Sequence, residues 1–103
     1  MIENFRDGQR GKIAKDIWNT GQSRKLPRKF HFRAKALLQI MYATDSLEDL
    51  RFKGHPPDVR LHSLKFDRKS EFAVDIDKLS GWRITFLFRD RKFCDFGIED
   101  YHD

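Results

Sequence analysis

The chain of 103 residues has a single cysteine, Cys94. One thiol builds neither a disulfide framework nor a thiolate metal cluster, and it fits a reducing compartment. Long hydrophobic runs are missing as well. No stretch approaches the roughly 20 apolar residues of a membrane-spanning helix, and the N-terminus lacks the apolar core of a signal peptide. The sequence therefore reads as cytoplasmic, with no membrane partner. Internal repeats and low-complexity segments are also missing. The length bounds the chain to one domain, residues 1–103, with a core of modest size.

Acidic charge is scarce in one half only. Lys and Arg total 21 against 16 Asp and Glu, a net charge of +5. Residues 1–53 carry a balance of +6 and residues 54–103 a balance of −1. A basic half beside a near-neutral half suggests a face made for a polyanion, most often a nucleic acid.

What is present is patterned. Ile2 and Phe5 mark a short first strand, closed by the Asp7-Gly8 turn signal. Ile13, Ala14, Ile17 and Trp18 recur at helical spacing over 11–19, with Gly21 as the C′ residue. Pro27 suits a first helical turn, and from it to Ala43 the residues Phe30, Ala34, Leu37, Leu38 and Met41 form one apolar stripe. Arg28, Lys29 and Lys35 lie opposite that stripe with Phe32 among them. Phe32 either stacks on a base or fills a partner's pocket, or it packs under the preceding connection. Residues 47–50 read as a short helical turn, and Gly54-His55-Pro56-Pro57-Asp58 is a breaker. After it come four strand-like stretches, 59–66, 71–77, 82–88 and 93–98. Their short links imply an antiparallel meander. Two helices followed by a meander make the class α+β, with the helices covering one sheet face.

On the 82–88 strand, Trp82, Ile84, Phe86 and Phe88 share the heavier apolar face, which should meet the helices. Arg83 then points into the open face. The tail adds Asp100, Tyr101 and His102, and the first strand of the meander adds His62 and Lys65. Asp100 and His102 share parity with Tyr101 opposite, so all three address one site only if the strand breaks near Asp100. These residue types suit RNA cleavage. The 2′-hydroxyl must lose a proton, the phosphorane gathers negative charge, and the leaving 5′-oxygen must gain a proton. Acid–base groups contribute about 10²–10⁴-fold each, and Arg and Lys stabilise charge developing on phosphate. Two histidines, Asp and Tyr can also ligate a cation, but the neighbouring Arg and Lys argue against one. No metal or cofactor is required.

The segments Leu61-His62-Ser63-Leu64-Lys65, Trp82-Arg83-Ile84-Thr85-Phe86 and Glu99-Asp100-Tyr101-His102 resemble, in order and spacing, the HigB toxins of the RelE/ParE superfamily. The opening Met1-Ile2-Glu3-Asn4-Phe5 and the stretch from Ala43-Thr44-Asp45 to Leu47-Glu48-Asp49-Leu50 are similar too, so the resemblance spans essentially the whole chain. It implies a RelE/ParE-like fold, two N-terminal helices packed on a twisted antiparallel sheet. It implies the toxin of a type II toxin–antitoxin module, cleaving mRNA on the ribosome without a metal. The implied partners are a HigA-like helix-turn-helix antitoxin in a hetero-oligomer, the ribosome and mRNA. By the same resemblance His102 or Asp100 takes the 2′-hydroxyl proton and His62 is its acid–base partner, the two roles being interchangeable. Lys65 and Arg83 hold the phosphate, and Tyr101 orients a base or the phosphate.

The chain departs from that pattern in three places. Phe66 stands where many such toxins have Gly, and Asp75 and Asp77 add carboxylates that would weaken RNA binding if they faced it. Two other readings therefore stand beside the nuclease: a ParE-like non-catalytic inhibitor of DNA gyrase, and a ribosome- or RNA-binding module without catalysis. In the nuclease and RNA-binding readings Arg28, Lys29 and Lys35 dock on ribosomal RNA.

Overall fold

The computed structural model describes residues 4–43, 61–63, 71–77, 79–90 and 92–100. Residues 47–50, Lys65, Phe66, Tyr101 and His102 lie outside that set, as does the side chain of His62. Helix α1 spans Gln9–Thr20 and helix α2 spans His31–Tyr42, entered through a 3-10 turn at Arg28–Phe30. Strands β1 (Leu61–Ser63), β2 (Glu71–Asp75), β3 (Trp82–Arg89) and β4 (Lys92–Asp100) follow. They form one antiparallel sheet in the order β1-β2-β3-β4, so the chain is a small α+β domain. No helix among the described residues is long and apolar enough to cross a membrane.

The helices form where the apolar spacing predicts. Ile13, Ala14 and Ile17 of α1 are buried, as are Ala34, Leu37, Leu38 and Met41 of α2. Gly21 ends α1 with φ 78°, and its N–H donates to the Ile17 carbonyl at 2.9 Å. A side chain is strained at that φ, which is why glycine serves there. Against these helices the sheet presents Val74, Ile84 and Ile98, which are cross-strand partners and therefore share one face. Phe86 is central, its ring 5.3 Å from Phe93 and 5.7 Å from Phe96.

Strand β4 bulges. Thr85 pairs with Gly97 but Leu87 pairs with Cys94, so Phe86 faces an extra residue. Asp95 absorbs it at φ 53°, a left-handed conformation that aspartate tolerates better than most residues. The bulge lets both Phe93 and Phe96 turn to the core. Residues 4–6 lie along the outer edge of β4. Phe5 forms a parallel bridge with Phe96, held by Phe96 N–H to Asn4 O at 3.1 Å and Arg6 N–H to Phe96 O at 2.9 Å. The Asn4 side-chain oxygen also accepts from the Asp95 N–H at 2.7 Å.

Candidate functional site

Alternation along the strands sends Ala73, Asp75, Arg83, Thr85, Gly97 and Glu99 to the sheet face away from the core. Register builds rows across it. Asp75 pairs with Arg83, and Arg83 with Glu99. One row over, His62 pairs with Ala73, Ala73 with Thr85, and Thr85 with Gly97. His62 and Arg83 thus stand on adjacent rows, two strands apart, with Cα atoms about 12 Å from each other by standard strand spacings.

The expectation that Arg83 faces an open surface is corrected. Its side chain is only 13% exposed, and Nε and Nη2 donate to Glu99 Oε2 at 3.0 and 2.7 Å. Arg10 of α1 takes the other carboxylate oxygen, Nη1 to Oε1 at 3.4 Å. Glu99 itself is 4% exposed. A carboxylate buried that deeply needs both cations, because the cost of removing charge from water exceeds what one imperfect pair returns. Glu99 entered the sequence reading only as part of the terminal motif, and Arg10 did not enter it. The signal was present in parity: Arg83 and Glu99 both sit at odd positions of facing strands, one cation opposite one anion.

Arg6 crosses the same face. A Cβ added at Gly97 would lie 2.6 Å from Arg6 Cδ and 3.3 Å from Thr85 Oγ1, so the missing side chain makes room for Arg6. From there Arg6 Nη1 reaches Glu71 Oε2 at 3.4 Å. Beneath it Thr85 is fully buried, and its Oγ1 has no hydrogen-bond partner among the described residues. An unmatched buried hydroxyl costs about 1–3 kcal/mol.

Asp100 takes the other parity. It pairs with Trp82, so it alternates with Glu99 and leaves the Arg83 face. Strand β4 continues unbroken through Asp100. The two extra aspartates separate in the same way. Asp75 is 6% exposed in the Arg83 row. Asp77 closes the turn between β2 and β3, its Oδ2 accepting from the Ser80 N–H at 2.9 Å. Among the described residues no three His, Cys, Asp or Glu side chains converge as metal ligands.

The docking cations also part company. Arg28 and Lys29 are exposed in the 3-10 turn. Lys35 instead returns to α1: its Nζ sits 4.5 Å from the Trp18 ring centroid and donates to the Trp18 carbonyl. Phe32 is 86% exposed, so it does not pack under the preceding connection. A scan against protein-family models found no match to this chain, and neither did a search of curated proteins.

Proposed function

We propose that the protein is the toxin of a type II toxin–antitoxin module, a HigB-like, ribosome-dependent endoribonuclease of RelE-like fold. What supports this reading is the three motif segments together with their register. His62 and Arg83, more than 20 positions apart in sequence, are brought by strand pairing to adjacent rows two strands apart. In the proposed reaction His62 and His102 exchange protons with the 2′-hydroxyl and the 5′-oxygen, and Asp100, which leaves the Arg83 face, takes no part. Arg83 and Lys65 stabilise the dianionic phosphorane, and Tyr101 orients the nucleotide. The toxin's partner would be a HigA-like helix-turn-helix antitoxin.

One observation favours a second reading, an RNA-binding module without catalysis. Arg83 already serves Glu99, so its charge is damped toward an incoming phosphate.

The test is to map mRNA 5′ ends in cells briefly expressing the chain, beside His62→Ala and His102→Ala, with circular dichroism confirming that both variants fold. Codon-phased new ends that vanish in both variants support the nuclease. Growth arrest without new ends supports the binding module or gyrase inhibition and removes the proton-transfer scheme.

A further inference from the structure

A second surface lies on the helical side of the molecule. Helix α1 and the segment 22–28 enclose a groove of about 910 Å³ that reaches His31 at the start of α2. Lys12, Arg24, Lys25 and Arg28 line it, against a single carboxylate, Asp16. All four cations are exposed, and no described carboxylate lies within ion-pair distance of any of them.

The groove is held rigid at both ends. Thr20 Oγ1 donates to the Asp16 carbonyl at 2.8 Å and accepts from the Gln22 N–H at 3.2 Å, fixing the chain as it leaves α1. Leu26 is 2% exposed, and its carbonyl accepts from His31 Nε2 at 2.8 Å. Four like charges held together on anchored backbone repel one another in the empty groove, and a polyanion relieves that repulsion. Pre-anchored donors also lose little freedom on binding.

Shape and chemistry narrow the ligand. Among the described residues the large exposed apolar side chains are Phe32, Ile40, Tyr42 and Leu79, and none lines the groove, whose exposed side chains are mainly cations and neutral polar groups over a floor of Ile13, Leu26 and Pro27. A concave surface of this volume has room for a few nucleotides of one strand. Arginine grips phosphate through paired N–H groups and lysine as a point charge.

We propose that this groove binds the sugar-phosphate backbone of single-stranded RNA at a site separate from the sheet. The choice of RNA rests on the function proposed above; the groove itself does not require cleavage.

The test measures binding of a labelled single-stranded RNA of roughly a dozen nucleotides to the full chain over a range of salt. Lys12→Gln/Arg24→Gln is compared with Lys15→Gln/Arg89→Gln, which loses the same charge elsewhere. The groove variant should flatten the slope of log K against log salt by about 1.4, near 0.7 for each phosphate no longer neutralised, and the control pair should leave it unchanged. Equal slopes in both variants, or equally tight binding of a duplex, overturn the proposal. Cleavage is scored separately. Lost binding with no cleavage in any variant sinks the nuclease and keeps the groove; intact binding in the groove variant with cleavage in wild type does the reverse.

Discussion

Two basic regions of this molecule treat their charges in opposite ways. On the sheet, Arg83 and Arg10 share Glu99, and Arg6 meets Glu71. Beside α1, Lys12, Arg24, Lys25 and Arg28 stand exposed with no such partner among the described residues. Net charge does not distinguish these uses. A cation tied to a buried carboxylate maintains the fold, and a cation left in water is available to a ligand. Removing charge from the first region should unfold the protein, and removing it from the second should leave the fold alone.

The largest effect is expected at Glu99. Glu99→Ala removes the buried carboxylate that Arg83 and Arg10 share and should lower stability by about 3–5 kcal/mol in urea unfolding. A loss under about 1 kcal/mol would mean that the sheet charges are as dispensable as surface ones. Gly11→Ala comes next. A Cβ there would lie 1.6 Å from the Arg6 carbonyl oxygen, a backbone atom that cannot step aside. We expect a loss of about 3 kcal/mol, the upper end of overpacking, with α1 pushed off residues 4–6. Thr85→Val should act in the opposite direction. It removes the unmatched hydroxyl at nearly constant shape and should raise stability by about 1 kcal/mol. A destabilised valine variant would show that Oγ1 has a partner after all, a buried water being the obvious kind. The smallest effect belongs to the groove. Changing Lys12, Arg24, Lys25 and Arg28 together to Gln should shift stability by no more than about 0.5 kcal/mol per site, and any net change should be a gain from relieved repulsion.

Much of the fold was legible because its elements are locally consistent. The stripe from Phe30 to Met41 and the C′ glycine at 21 are observed, and a strand forms from Trp82 as its alternation predicts, although Thr85 is buried along with Ile84 and Phe86. The bulge at Asp95 was not legible. It depends on a tertiary demand, that Phe93 and Phe96 both reach Phe86, which neither period two nor the identity of Asp95 announces. The candidate site was legible as residue types and less so as pairings. Arg83 reads as a phosphate ligand in sequence because its partner lies on the next strand, 16 positions away. Lys35 reads as a surface cation because helical spacing says nothing about Trp18 on the other helix. The groove was not legible either, since its cations come from a helix and a loop, and no linear pattern joins Lys12 to Arg24.

The edge of β4 carries one more consequence, for the order of assembly. Asn4 and Asp95 touch across 91 positions, among the most distant contacts a chain of this length can make. During synthesis residues 4–6 leave the ribosome first and have nothing to pair with until β4 follows. Until then the outer edge of the sheet does not exist, and the Glu99 clamp that steadies Arg83 is missing with it. Such non-local closure slows folding relative to the helices, which form from neighbouring residues. The nascent chain therefore carries its basic groove early and its sheet site only after β4 has been made.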